Sequence, residues 1–345
     1  MTSMAIDATE QPAAPSVMID LLRREGIPFE EGVDLTVFTY MKTGGVAHLV
    51  IYPNTTEHLR LAINALRAQK LRFKVVGNTS NLLFLDNTDY SILVCTVRLT
   101  NLLYSKEKGL LIADCGVTIP DLARRALLEC VDGFEGFEGI PGTLGGGIFM
   151  NAGAYGYELK DLLVKADIID RDGQMRTVDA KELGLAHRTS IMRSAPNDWI
   201  VATLYFRATK GDPAVIYSKM ELFHAKRHKY TEYMYPNLGS IFSGSPYRAM
   251  SRKDVVFRIY AALYYFFGYK LKIFRRESPI NRKWLNDIAV ARFNIRYDLQ
   301  PFSDKTINCL VNRGQGTDEM VRFIRELDQL SDGRIPLENE IVDGF

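Results

Sequence analysis

At 345 residues the chain is long enough to bury large cores and to hold two or three domains. Its 43 basic and 41 acidic side chains nearly cancel, which argues against a nucleic-acid-coating protein and against a polybasic membrane binder. The four cysteines, Cys95, Cys115, Cys130 and Cys309, have no CxxC spacing and read as buried thiols of a reducing cytoplasm, not as a disulfide framework or zinc site. In chain order, residues 1–15 carry two acids and no apolar centre, so a disordered tail is expected there in place of a signal peptide. Val46–Tyr52 reads as a strand, and Asn54–Leu66 as a helix with Asn54 at its N-cap and Glu57 three residues on. Lys74–Val76, Tyr90–Val97 and Gly109–Cys115 read as further strands, followed by a helix near Thr118 with Pro120 in its first turn. A hairpin is expected around Asp172-Gly173, then a strand from Trp199 to Ala208. Asp212-Pro213 opens a helix with Ile216, Met220 and Phe223 on one face, and a last helix from Thr317 repeats that spacing at Met320, Phe323, Ile324 and Leu327. The longest apolar stretch, Val255–Gly268, contains Arg258 and is too short to span a bilayer.

Gly133 to Gly156 holds nine of the 26 glycines and no lysine, arginine or serine. Such a density suits a backbone that turns through positive φ or lies close to a bulky partner. A cofactor cradle fits, with bare N–H groups for anionic oxygens and apolar flanks for a flat ring. A tight structural turn between packed strands is the alternative. A second loop points the same way: Lys74–Leu83, K-V-V-G-N-T-S-N-L-L, is a β-branched strand delivering a polar, donor-rich turn. Two such loops suit a long diphosphate ligand.

These two loops, with T-G-G-V-A at Thr43, Arg-x-Ser at Arg188, P-N-L-G-S-I-F at Pro236 and L-E-N-E-I at Leu337, resemble the UDP-N-acetylenolpyruvoylglucosamine reductases in the order of their motifs, from about Thr36 to the C-terminus. The resemblance implies an α+β fold: a two-lobed FAD-binding domain of the vanillyl-alcohol-oxidase/PCMH type plus a C-terminal α+β substrate-binding domain. The expected divisions are 16–87, 88–211 and 212–345. It implies noncovalent FAD held by Gly77, Asn78, Thr79, Ser80, Asn81 and Leu82 and by Ile140, Pro141, Gly142, Thr143, Gly146, Gly147, Asn151, Gly153 and Ala154. It also implies NADPH as hydride donor, a nucleotide-sugar substrate, a cytoplasmic location, and no nucleic-acid partner. NADPH and NADH are not distinguished, because the family binds the nicotinamide without a dinucleotide fingerprint.

Reducing an enol ether beside a carboxylate places a hydride on one carbon and a proton on its neighbour, with negative charge building in between. In the resembled family an arginine and a glutamate stabilise that charge and a serine delivers the proton. The matching positions are Arg188, Glu340 and Ser240, and His187 and Lys229 fall where substrate is bound. Read singly, Arg188 is an arginine near the end of an edge strand, Ser240 a turn cap, and Glu340 one of an acidic group in which Glu338 is its closest rival. Departures from the family pattern are His187 for a tyrosine, Thr79 for a glycine, Thr231-Glu232 for a Gln-Pro pair, Ser243-Gly244-Ser245-Pro246 where a basic residue and an asparagine are usual, and Lys283 for a glycine. They leave open a flavoenzyme of the same fold acting on another sugar or alcohol, or a flavin protein that no longer turns over. His48, His58, His187, His224 and His228 lack HxH or HExxH spacing, so no metal is expected; His48 alone sits where a covalent flavin anchor is conceivable.

From Arg252 to Arg276 seven cations interleave with aromatic residues. Single-stranded nucleic acid binding, a packed helical hairpin and a wall of the nucleotide-sugar site are all compatible. The clustering of rings at Tyr264–Tyr269 favours the hairpin.

Overall fold

The computed structural model describes residues 16–267 and 283–345. The tail expected over 1–15 lies outside the described residues, as do Tyr269 and the cations from Lys270 to Arg276. Strands Phe29–Asp34, Val46–Ile51, Asp89–Cys95 and Phe73–Val76 form the first sheet in that spatial order. The first pair is antiparallel and the others parallel. Its central runs, Leu49-Val50-Ile51 and Ile92-Leu93-Val94, do not alternate with polar residues because both faces are covered. This sheet takes in Asp89–Cys95, beyond the 16–87 range expected for the first lobe.

The second sheet is antiparallel throughout, in the order Met175–Asp179, Leu163–Ile169, Ile200–Arg207, Leu110–Asp114 and Leu102–Ser105. Leu49, Ile51 and Val94 of the first sheet share one apolar core with Leu111, Ala166, Ile168 and Leu204 of the second. The helix Ile119–Leu128 starts where expected, with the Thr118 hydroxyl accepting from Asp121 N. The helix after the first long strand spans Thr56–Ala68 and its cap is Thr55, whose hydroxyl accepts from His58 N; the expected cap, Asn54, lies one residue too early.

The third unit has its own core, built from a short sheet (Asn237–Ser240, Thr306–Val311, Phe302–Ser303) and the helices Pro246–Lys253, Val255–Tyr265, Lys283–Phe293 and Thr317–Leu330. Within it, Val255–Tyr265 packs on Lys283–Phe293, with Phe257 edge-on to Phe293 at 5.5 Å and Tyr260 to Trp284 at 5.8 Å between ring centroids. Met41 and Leu83 of the first unit are buried in that core. The chain end returns to the first unit as well, where Glu340–Val342 pairs in parallel with Leu82–Phe84.

Candidate active site

The glycine run and the Gly77–Leu82 loop meet face to face. Ser80 Oγ donates to Pro141 O at 3.1 Å, and a Cβ on Gly77 would collide with Thr143 Oγ1, so only glycine permits this approach. Between them lies a cavity of about 190 Å³ lined by Asn78, Thr143, Val97, Gly116 and Thr118 among others. Thr143 Oγ1 is buried without a hydrogen-bond partner among the described residues, as a group reserved for a ligand would be. At Gly146 a Cβ would meet nothing closer than Thr143 Oγ1 at 3.7 Å, so the protein itself does not require glycine there. An orphaned hydroxyl and open space above a glycine fit a diphosphate-linked cofactor.

The N–H groups of the glycine run are less bare than their sequence suggests. Leu144 N donates to Val117 O at 2.8 Å, Gly145 N to Cys115 O at 2.7 Å and Gly147 N to Thr143 O at 2.8 Å. Two donors are thus spent pinning the run to the Cys115–Ile119 segment, and a third is spent within the run. Asn151 is likewise structural: its amide nitrogen donates to Glu158 and to Ala186 O, and its oxygen accepts from Lys160 N. Gly153–Ala154 pairs with Tyr157–Glu158, and Ile140 N donates to Phe137 O. Thr79 has a φ of 51°, and its hydroxyl, 2.8 Å from Tyr40 N, ties the first loop to the turn before Thr43.

Arg188 stands in a tight turn closed by reciprocal hydrogen bonds between Ala186 and Thr189, with a φ of 55°. The turn is fastened to the glycine run from both sides, by Asn151 on Ala186 O and by Ser190 Oγ on Phe149 O at 2.6 Å. His187 Nδ1 lies 3.4 Å from Glu158 and is exposed. The Arg188 guanidinium reaches Glu338 at 2.8 Å, and Glu340 is instead paired with Lys74. Burial pushes the Glu338 carboxyl above its ordinary value, and the charge of Arg188 opposes that shift only in part. Ser240 ends its strand after a bulge at Gly239; it is exposed, and its hydroxyl makes no hydrogen bond among the described residues.

Two asparagines join these pieces. Asn81 donates from its side chain to Glu338 O at 3.0 Å and accepts at its backbone oxygen from Glu340 N. Asn339 donates to the Asn81 side chain at 2.9 Å and to Leu238 O at 3.1 Å, and Glu338 N donates to Ile241 O on the other side of Ser240. The first loop, the Ser240 strand and the L-E-N-E-I segment are therefore one hydrogen-bonded unit, and Glu338 carries Arg188 into it. Sequence reasoning named Asn81 but missed Asn339 and Lys74; the only signal for Asn339 was its place inside L-E-N-E-I. Lys229 belongs to the helix Pro213–Tyr230, but its side chain lies outside the described residues. That helix docks on the glycine run through a Tyr155–Phe223 stack at 4.8 Å and Arg227 Nε on Glu138 O at 3.1 Å. Cys95, Cys115 and Cys309 are buried thiols with burial-raised pKa values, whereas Cys130 is only half-buried. Among the described residues no three His, Cys, Asp or Glu side chains gather as a metal would need.

Loops, cradle and fold define a flavoprotein of α+β architecture: residues 47–179 match the FAD binding domain family, and FAD is the cofactor. A UDP-N-acetylenolpyruvoylglucosamine reductase from Lactobacillus gasseri is 31% identical over 221 residues, 64% of this chain and 72% of that protein. The one from Carboxydothermus hydrogenoformans is 35% identical over 223 residues, 65% of this chain and 73% of that protein. The chain belongs to the UDP-N-acetylenolpyruvoylglucosamine reductase family and is an FAD-dependent oxidoreductase. Its fold is that of the crystal structure of the Thermus caldophilus reductase, with a TM-score of 0.66 at 22% identity over 91% of this chain and 99% of that one.

Proposed function

We propose that the protein reduces the enolpyruvyl group of UDP-N-acetylglucosamine enolpyruvate to give UDP-N-acetylmuramate, a step of peptidoglycan precursor synthesis in the cytoplasm, with NADPH as electron source. The Gly77–Leu82 loop and the Ile140–Ala154 run would hold FAD, which when bound would supply the hydride chemistry between NADPH and one carbon of the substrate double bond. Arg188 grips the substrate carboxylate with its two-pronged fork and answers the negative charge that builds beside it. Ser240 Oγ–H donates the proton to the neighbouring carbon, acting as general acid. Glu338 and Glu340 flank the site, one against Arg188 and one against Lys74. The supporting observation is the Asn81–Asn339 network, which links the Ser240 strand, both glutamates and the first cofactor loop.

Anaerobic stopped-flow absorbance separates the two half-reactions. In Ser240→Ala, bleaching of the flavin by NADPH keeps its rate, and reoxidation by the enolpyruvyl UDP-sugar slows on the order of 10²-fold or more, the usual cost of losing a positioned general acid. A variant that reoxidises at the parental rate removes Ser240 from the mechanism. A parental protein that never reoxidises with this substrate removes the substrate.

A further inference from the structure

We propose that the outer face of the Val255–Tyr265 helix, continued by Phe266 and Phe267, docks on the surface of an anionic lipid bilayer. By helical spacing Val255, Val256, Ile259, Tyr260, Leu263 and Phe266 share one side, opposite Phe257, Ala261 and Tyr264, which bury into the third unit's core. That outer side is left to solvent: Val255 is 61% exposed and Ile259 55%, and Trp284 of the next helix adds an indole 47% exposed. An apolar patch of this size on a soluble protein marks a contact surface. The site described above uses none of it.

Charge identifies the occupant. The near-zero net charge of the whole chain conceals a local asymmetry. Between Pro246 and Phe293 the described residues carry six cations and two carboxylates, while the whole chain is only +2, so the rest of the molecule is net acidic. Among the described residues the two carboxylates of this stretch are already paired, Asp254 with Arg292 at 2.5 Å and Asp287 with Lys283 at 3.2 Å. Arg248, Arg252 and Arg258 are exposed and make no ion pair among the described residues. A second copy of the chain would bring like charges together. A single strand of nucleic acid would stack on rings but leave Val255, Val256, Ile259 and Leu263 unused. An anionic headgroup layer meets both features, the cations at the phosphates and the aliphatic and aromatic face at the acyl boundary. No helix among the described residues is long and apolar enough to cross a membrane, so the contact is peripheral.

Vesicle flotation of the full-length protein tests this, with phosphatidylcholine alone and with phosphatidylglycerol mixed in. The protein floats with the anionic vesicles only, and Ile259→Glu/Leu263→Glu lowers the bound fraction about tenfold or more, with flavin content and circular dichroism unchanged. Arg252→Glu/Arg258→Glu lowers it too, and in a Trp199→Phe background the Trp284 emission shifts to the blue on binding. The inference is overturned if the protein does not float, if it floats equally with neutral vesicles, or if both double variants float like the parent. It is equally overturned if the face retains a single-stranded oligonucleotide and no vesicle, or if light scattering shows dimerisation through it without vesicle binding.

Discussion

Glu338 brings a carboxylate to the guanidinium that the substrate's own carboxylate is proposed to occupy. The pair is mostly sheltered, with the Arg188 side chain 27% exposed and that of Glu338 13%. An anionic ligand entering there must share the fork or displace its present partner, and like charges close together are unfavourable. Glu338→Gln keeps a hydrogen-bond acceptor for Arg188 but removes the competing charge, so KM for the enolpyruvyl UDP-sugar falls on the order of tenfold at low ionic strength. Steady-state assays at several salt concentrations check this, and an unchanged or raised KM shows that Glu338 serves to hold Arg188 in place. The same substitution has a pH signature. Because burial raises the Glu338 carboxyl above 4.5, the native state binds that proton more tightly than the unfolded chain does, and this contribution to stability is lost as pH rises from 4.5 through the native value. Urea unfolding across that window accordingly shows a steeper loss of stability with rising pH in the parent than in Glu338→Gln.

At the scale of elements, two glycines in facing loops have opposite reasons to be glycine, and that difference is testable. Gly77→Ala collides with Thr143 and forces the loops apart, so it lowers thermal stability even in flavin-free protein. Gly146→Val has room in the protein but fills the cradle, so the purified variant is colourless while its circular dichroism stays native. Flavin content and melting curves of the two variants decide between them, and a yellow Gly146→Val protein shows the stretch to be a purely structural turn. Much of this region was legible in the sequence. Glycine density, the strand entering Gly-Asn-Thr-Ser-Asn, and the caps Thr118 and Asp212 are local signals, and local signals survive without a structure. The partners were not legible. That Glu338 rather than Glu340 faces Arg188 depends on docking between segments far apart in the chain: Glu338 N donates to Ile241 O ahead of the strand, whereas Glu340 enters the strand beside Leu82 and pairs with Lys74. Nor could the sequence show that the amides of Leu144 and Gly145 are spent on the Cys115–Ile119 segment, since donors look alike until the neighbour is placed. Thr79 stands where the family has a glycine, and the contact with Tyr40 N gives its hydroxyl a task of its own.

At the scale of the molecule, the last few residues hold the third unit to the flavin-binding unit. Glu340–Val342 adds a strand beside Leu82–Phe84; Val342 is buried, and the single proton of the Tyr90 hydroxyl is shared between Val342 O at 2.9 Å and Leu85 O at 3.0 Å. The Phe345 ring packs edge-on against Tyr90 with centroids 5.7 Å apart, and Ser91 N donates to the Phe345 carbonyl. Ending the chain after Asn339 therefore strips a buried valine worth about 1.5–3 kcal/mol and one of the two acceptors of a buried tyrosine, a loss of about 0.5–1.5 kcal/mol because Leu85 O remains. Together these are a large share of the roughly 5–15 kcal/mol that holds a folded domain. The Lys74–Glu340 ion pair is partly exposed and contributes at most about 1 kcal/mol. The two effects separate in a pair of variants. Glu340→Gln melts within a few degrees of the parent and keeps its flavin, whereas the chain ending at Asn339 melts far lower and loses flavin on gel filtration, because the Leu82–Phe84 strand follows directly on the Gly77–Leu82 loop proposed to hold the flavin. Equal melting temperatures for parent and truncated chain would mean that Met41 and Leu83, buried in the third unit's core, already hold the two units together without the strand.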